Sequence, residues 1–402
     1  MYFYPMNPSI AKLAEIAQKD HRLIIGLMSG TSLDGLDIAL CKIQGNGNHS
    51  KIELLAFETM DYKPEFRTWV RKIFAQRNID QQVLCGLNPY IAEVHAALVL
   101  EALQKWNMEV SEVDAIASHG QTVFHAPQSL THDRSLPNST LQLGDGDHMA
   151  VRTGIICLSD FRQKHLAAGG EGAPLAAYGD YLLFSSETEN RILLNIGGIS
   201  NFTFLPALGS ELKAYATDLG PGNTMMNQYM EKHFGVEMDK DAGTAKKGQT
   251  NLDLLHELEN EPFLNLNFPK TTGPELFNLA YLDNALEKIG SPQLSHEDIM
   301  ASLNRFSAKT MVKGIQKATK GLENLKIYVS GGGLHNPLLM EQLKEEFAES
   351  VESFEVLGLD PDAKEACLFA VLANETLAGD PQSVSNIKDS PAVCMGKISL
   401  PY

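Results

Sequence analysis

The sequence predicts an α/β protein built from two related lobes, and three observations carry that expectation. A strand–turn–strand pattern occurs twice, at Leu23 to Ile43 (LIIGLMSGTSLDGLDIALCKI) and at Ile192 to Leu205 (ILLNIGGISNFTFL). In each, an aliphatic run meets glycines and small polar residues, then resumes as a second alternating run. Strand-like and helix-like segments alternate along the remainder, the pattern of α/β architecture. At 402 residues the chain also exceeds what one hydrophobic core ordinarily supports.

Taken in order, the first twenty residues read as an added N-terminal helix, with no basic n-region and apolar core of a signal peptide. The first hairpin follows. Asp61 to Met108 has helical periodicity, with Ile91, Val94, Leu98 and Ala102 on one apolar face. Val113 to Ser118 (VDAIAS) is a short buried strand ending at His119-Gly120-Gln121-Thr122, and Ile155 to Ser159 is another ending at Asp160-Phe161-Arg162. After the second hairpin, helices are expected through roughly 224–260 and 275–320. Leu325 to Ser330 (LKIYVS) is a strand emptying into Gly331-Gly332-Gly333, with Leu338 to Glu349 helical behind it. Ligands of such folds sit beyond the carboxyl ends of the strands, where HGQT, DFR and GGG fall.

Composition bounds the partners. The chain is 44% hydrophobic and 21% charged, ordinary for a globular protein, and its net charge of −17 argues against nucleic acid or anionic membrane. A basic pocket for a small phosphorylated ligand is compatible with an acidic shell. Cys41, Cys85, Cys157, Cys367 and Cys394 are scattered without C-x-x-C spacing, which suggests neither zinc nor disulfides and fits a reducing cytoplasm. No run approaches 18 apolar residues, so no membrane span is expected.

The turns suggest what binds. In Gly30-Thr31-Ser32-Leu33-Asp34-Gly35 the glycines permit positive φ and close backbone approach, the hydroxyls donate, and successive N–H groups make an anion nest. Phosphate is the natural guest, although Asp34-Gly35 alone also explains a plain hairpin. Gly331 to Gly333 lets a flat ring or ribose lie on bare backbone, ahead of the helix that follows His335-Asn336-Pro337. Asp218, in Asp218-Leu219-Gly220-Pro221-Gly222-Asn223, is equally a base for a hydroxyl or water, a Mg²⁺ holder through solvent, or an N-cap for a helix starting near Thr224.

His119 reads as a contact residue, since no Ser or Cys nucleophile motif accompanies it, and His125 reads as structural. Arg162, beside Asp160 and Lys164, can hold a carboxylate or phosphate bidentately or pair with Asp160 at the surface. Glu171, in Gly169-Gly170-Glu171-Gly172-Ala173-Pro174, faces substrate or water. Glu365 opens an apolar helix, where it favours the dipole or orients sugar hydroxyls.

These residues resemble a known family. GLMSGTSLDGLDIAL, SHGQTVFH, DFR…AAGGEGAPL, LLNIGGISN, DLGPGN and GGGLHNPLLM occur in the order of the anhydro-N-acetylmuramic acid kinase family, from about Leu23 to near the C-terminus. The resemblance implies the two-lobed actin-like (ribonuclease H-like) sugar kinase fold, mixed sheets flanked by helices closing around ATP-Mg²⁺. It implies that Gly30, Thr31, Ser32, Leu33, Asp34, Gly35, Leu36 and Asp37 form the first phosphate loop. The second runs from Asn195 to Asn201, with Asn195, Gly197 and Gly198 on ATP; Gly331, Gly332, Gly333 and Asn336 take adenosine. Asp218 matches the general base. His119, Gln121, Arg162, Lys164, Gly220, Asn223 and Glu365 are the expected substrate contacts, and no direct protein ligand to Mg²⁺ is assigned.

The implied reaction opens a 1,6-anhydro bridge with water and phosphorylates O6, giving N-acetylmuramic acid 6-phosphate in cytoplasmic murein recycling, in a homodimer. Expected boundaries are an N-terminal lobe over 1–160, rejoined by 380–402, and a C-terminal lobe over 161–379. The alternatives are a kinase of an uncharged anhydrosugar such as levoglucosan, or a non-catalytic actin-like ATP-binding protein. The chain departs from the family pattern in carrying Asp160-Phe161-Arg162-Gln163-Lys164-His165 for the common DFRRRD, Glu171 for the usual Gln, and Lys270-Thr271-Thr272-Gly273-Pro274-Glu275 for K-S-T-G-R-E.

Overall fold

The computed structural model describes residues 6–290 and 293–402. The chain begins with α1 (Pro8–Gln18), β1 (His21–Ser29), β2 (Gly35–Gln44) and β3 (Lys51–Asp61). Helices α2 (Pro64–Arg71) and α3 (Gln81–Lys105) lead to β4 (Ala115–Ala126), the short α4 (Gln128–Thr131), β5 (Ser139–Leu143), α5 (Gly146–Thr153) and β6 (Cys157–Ser159). Next come α6 (Phe161–Ala167), α7 (Ala176–Phe184), β7 (Asn190–Ile196), β8 (Ile199–Leu205) and β9 (Tyr215–Pro221). Five helices follow: α8 (Thr224–Phe234), α9 (Leu252–Leu258), α10 (Pro262–Asn265), α11 (Leu279–Lys288) and α12 (His296–Ala318). The chain ends with β10 (Leu325–Ser330), α13 (Pro337–Phe347), β11 (Val351–Ser353), α14 (Lys364–Ala378) and β12 (Lys397–Ser399).

Two compact units result, Met1–Phe184 with Asp362–Tyr402, and Ser185–Pro361. The expected boundaries at 160/161 and 379/380 are therefore corrected: α6, α7 and α14 belong to the first unit. The reason is packing, because α14 lies against β1, β2 and β4 and α7 lies against α14.

Both sheets repeat one plan. In the first, a meander β3-β2-β1 continues into parallel β4 and β6, with β5 pairing β4 and β12 closing the edge. In the second, the meander β9-β8-β7 continues into parallel β10 and β11. The duplicated hairpin is thus the centre of two mixed sheets of matching order, as the sequence pattern predicts.

In the first unit, Ile25, Leu27, Ile38 and Leu40 face a core shared with α2 and α3 (Phe66, Val70, Ile91, Val99). The intervening Gly26 faces α14, so close that a Cβ there would sit 1.9 Å from the Ala366 carbonyl oxygen. In the second, Ile192, Leu194, Phe202 and Phe204 pack with Met311 and Ile315 of α12 and with Leu339 and Leu343 of α13. A further cluster joins α8, α9, α11 and α12 around Phe277, Leu282 and Phe306.

Several expectations change in detail. The N-terminal helix is α1, with residues 1–5 of that expectation outside the described residues. Asp61–Met108 divides into α2 and α3, and 224–260 into α8 and α9. The 275–320 stretch divides into α11 and α12, with residues 291 and 292 outside the described residues. The strand begun at VDAIAS does not stop at Ser118: β4 runs through His119-Gly120-Gln121-Thr122 to Ala126 because β5 pairs with that continuation. One helix, α3, is after all long and apolar enough to cross a membrane by length and composition. Its Leu87, Ile91, Ala92, Ala96 and Val99 are buried in the first unit.

Candidate active site

Each unit carries its own set of candidate residues. In the first, the β1–β2 hairpin turns through Gly30 to Asp34. The left-handed residue is Leu33 (φ 59°), and neither Gly30 nor Gly35 has positive φ, which corrects the role expected of the glycines. Gly35 serves space instead, since a Cβ there would meet the Met60 carbonyl oxygen at 2.8 Å. Leu33 and Leu36 are core residues at 2% and 0% exposure, which turns them away from a ligand and leaves Thr31, Ser32 and Asp34 as the exposed side chains. The Ser32 hydroxyl donates to Asp34 Oδ1 (2.8 Å) and the Gly35 N–H to the same oxygen (3.0 Å). The Ser32 bond holds the half-exposed end of Asp34 below the usual carboxylate range. Asp37 accepts from Thr59 Oγ1 (2.6 Å), and burial raises its pKa.

Beneath the turn runs a buried relay of hydrogen bonds. His95 Nε2 meets the Tyr62 hydroxyl at 2.8 Å, Tyr62 donates to Ser29 Oγ (2.7 Å), and Ser29 to Gln121 Oε1 (2.5 Å). Gln121 Nε2 then donates to the Gly30 carbonyl (3.2 Å). Gln121, expected as a substrate contact, is fully buried with both ends of its carboxamide engaged and supports the turn. Ser29, Tyr62 and His95 escaped the sequence reading because each looks like an ordinary core position.

His119 is buried, its ring tilted on Phe369 at 4.8 Å, and its Nε2 accepts from Arg162 Nε (3.2 Å). Burial pushes its pKa down to about 3, followed by the adjacent Arg162 charge. A neutral imidazole is what an Arg N–H requires as acceptor. Arg162 does not pair with Asp160, whose carboxylate is taken by Lys397. Its charge is instead balanced at a distance by Glu365 on the first turn of α14. Lys164 is exposed on α6. His165, on the same helix, accepts the Gly172 N–H on Nδ1 (2.9 Å) and fixes the loop that carries exposed Glu171.

In the second unit three glycine turns interlock. The N–H groups of Gly222 and Asn223 donate to the carbonyls of Gly198 and Gly197, both at 2.9 Å, and Thr224 N–H to Gly198 (3.0 Å). Asn223 Nδ2 donates to the Ile196 carbonyl (3.2 Å). A Cβ on Gly222 would stand 2.3 Å from Gly197 O, and one on Gly331, at φ 82°, would stand 2.5 Å from Asn195 Oδ1. These glycines are required by backbone approach. Asn195, Gly198, Gly331 and Gly332 remain at least partly exposed, while Gly220 and Gly333 are buried. Asn336 caps α13 by accepting Leu339 N–H (3.0 Å) and also accepts from buried Asn304 Nδ2 (3.2 Å). Ser307 Oγ donates to the Gly222 carbonyl (2.8 Å), so α12 buttresses two of the turns. Asn304 and Ser307 carry no sequence signal beyond a helix.

Asp218 lies within β9, and the cap position of α8 is Asn223. The capping alternative is therefore removed. Thr272 N–H donates to Asp218 Oδ2 (2.9 Å), and Asp218 N–H to the Lys270 carbonyl (2.9 Å). Oδ1 makes no hydrogen bond among the described residues. Burial raises the pKa of this half-buried carboxyl, with the Thr272 N–H opposing. One oxygen is anchored and the other is available to take a proton. Among the described residues no three His, Cys, Asp or Glu side chains gather as a metal site.

The anhydro-N-acetylmuramic acid kinase family matches residues 22–399. The anhydro-N-acetylmuramic acid kinase of Pseudoalteromonas atlantica is 50% identical over 98% of this chain and 100% of its own. That of Caldanaerobacter subterraneus is 36% identical over 97% and 100%. Among solved structures, the ADPNP-bound activator of the 2-hydroxyisocaproyl-CoA dehydratase from Clostridium difficile matches over 91% of this chain and 99% of that one, at 14% identity and a TM-score of 0.38. The chain is a carbohydrate kinase. It belongs to the anhydro-N-acetylmuramic acid kinase family.

Proposed function

We propose that this kinase opens the 1,6-anhydro ring of anhydro-N-acetylmuramic acid with water and transfers the γ-phosphoryl group of ATP to O6. Water adds to C1 and gives its proton to Asp218. The C1–O6 bond breaks, O6 attacks the phosphorus, and ADP departs, leaving N-acetylmuramic acid 6-phosphate. A glycoside hydrolase needs a second carboxylic acid to protonate its leaving oxygen. Here the phosphoryl group takes that oxygen, so one carboxylate suffices. The observation that carries the reading is Asp218 itself, with one oxygen on Thr272 N–H, the other unengaged, and its basicity raised by burial.

The remaining parts take roles that their geometry fits. Exposed Thr31 and Ser32 and the backbone of the Gly30 turn suit the phosphates of ATP, with Mg²⁺ carried in on the nucleotide. Gly331, Gly332 and Asn336 suit the nucleoside, where backbone approach already demands glycine. Arg162, with only its Nε committed to His119, retains its terminal N–H groups for the lactyl carboxylate, which favours this sugar over a neutral anhydrosugar. Cytoplasmic murein recycling and a homodimer complete the proposal.

Turnover by Asp218→Asn tests it. ATP binding, measured by calorimetry, is retained, and turnover falls by about 10²–10⁴, the usual worth of general-base assistance. Near-normal turnover removes Asp218 from the role. A parallel assay with levoglucosan, which lacks the carboxylate, separates the two substrate classes.

A further inference from the structure

A cavity of about 160 Å³ in the second unit lies one residue along β9 from the catalytic carboxylate, lined by Leu219, Thr310, Glu259, Lys270, Lys313 and Lys317 among others. Lys313 and Lys317 stand one turn apart on α12, and Lys309 precedes them by another turn. Glu259 is the one carboxylate on the lining, and it already serves two cations, Lys309 at 3.0 Å and Lys313 at 2.9 Å. The wall is therefore positive in a chain whose net charge is −17.

The lysines have a structural task that does not exhaust them. Lys270 Nζ donates to the Phe263 and Leu264 carbonyls at 2.9 and 3.0 Å, and Lys317 Nζ to the Leu266 carbonyl at 2.8 Å, so they cap the end of α10. An ammonium has three N–H donors. Each of these lysines keeps at least one, and Lys313, bonded to Glu259 alone, keeps two. Lys270 is half-buried, and burial together with the like charge of Lys317 pushes its pKa down to about 8. An anion between them relieves that repulsion.

We propose that this cavity binds a phosphate group, held by Lys270, Lys313 and Lys317, as inorganic phosphate or as the head of a phosphate monoester whose carbon chain lies against Phe268. The site is wired to the reaction. The Lys270 carbonyl accepts Asp218 N–H (2.9 Å) and Thr217 Oγ1 (3.2 Å), while Lys270 N–H donates to Thr217 Oγ1 (3.0 Å). Two residues on, Thr272 N–H holds Asp218 Oδ2. The residue whose ammonium meets the anion thus carries the backbone that orients the base, and occupancy modulates a kinase whose products are themselves phosphorylated.

The test is titration of the full chain, without nucleotide or sugar, with inorganic phosphate and separately with glycerol 3-phosphate. Calorimetry is run at constant ionic strength, with chloride as the control anion. The parent chain is compared with Lys313→Met and with Lys313→Met/Lys317→Met; both lysines are exposed, so the fold survives and Tm verifies it. Saturable binding to the parent, weakened about tenfold for each lysine lost, supports the site, as expected of charge-assisted hydrogen bonds. Tighter binding of the ester identifies a monoester as the ligand, and equal binding identifies phosphate itself. Phosphate also has access to the glycine turns, so the double variant decides: binding there at parental affinity, or no saturable binding by the parent, overturns the proposal.

Discussion

Asp218 carries opposite demands as a folded residue and as the proposed base. Its pKa is raised by burial, so the folded chain holds this proton more readily than the unfolded chain does. The stability that goes with the raised pKa is present in acid and lost as pH climbs through the folded value, which leaves an ionised, half-buried carboxylate as a cost at neutral pH. Asp218→Asn keeps an acceptor for Thr272 N–H and removes the charge. It is expected to raise Tm at neutral pH by a few degrees while turnover falls as above, and the Tm difference shrinks when melting is repeated in acid. As the proposed base, Asp218 gives kcat/KM an acid limb that falls as pH drops through a value above that of an ordinary aspartate. Residue spacing leaves Asp218 open between base and cap, and the resemblance matches it to the base. The structure removes the cap, because β9 runs through Asp218 to Pro221. Its hydrogen-bond partner Thr272 is distant in the chain.

At the scale of elements, the glycine turns were legible and their internal traffic was not. Glycine at 331 follows from φ 82° and from Asn195 Oδ1 standing 2.5 Å from any Cβ. Gly331→Ala is expected to cost about 1–3 kcal/mol in denaturant unfolding and to weaken ATP binding far more than sugar binding, as calorimetry of each ligand will show. The HGQT segment was misjudged for a different reason. A strand's end cannot be seen in its own residues when another strand prolongs it, and β5 pairs Gln121 with Leu143. That pairing, with the Ser29 and Gly30 bonds, turns a candidate ligand group into a strut. The strut gives its own expectation: Gln121→Leu leaves the Gly30 carbonyl without its donor and the Ser29 hydroxyl without its acceptor, costs about 1–3 kcal/mol, and raises KM for ATP.

Across the whole molecule, two lobes were readable from the repeated hairpin, whereas the assignment of 161–184 and 362–379 was not. An all-round apolar helix such as α14 announces that it is buried but not against which sheet. Its docking is fixed by residues far apart in sequence. Arg22, 2% exposed, donates to Asn374 Oδ1 (2.6 Å), to the Lys19 carbonyl (2.7 Å) and to the Gly45 carbonyl (3.0 Å). Gly26 supplies the room for the Ala366 backbone. Arg22→Met is expected to lower stability by about 3 kcal/mol in denaturant titration, since it removes the donor to buried Asn374 Oδ1 together with the links to the Lys19 and Gly45 carbonyls.

The first unit is also closed by the chain's two ends, with β12 pairing β6 and α14 seated on β1. On the ribosome this has a temporal consequence. Residues 185–361 are complete before the helix that roofs the older sheet has been translated, so Ile24, Ala39 and Cys41 wait uncovered until it follows. The nascent polypeptide therefore presents that greasy face to its surroundings until α14 has emerged and settled on it.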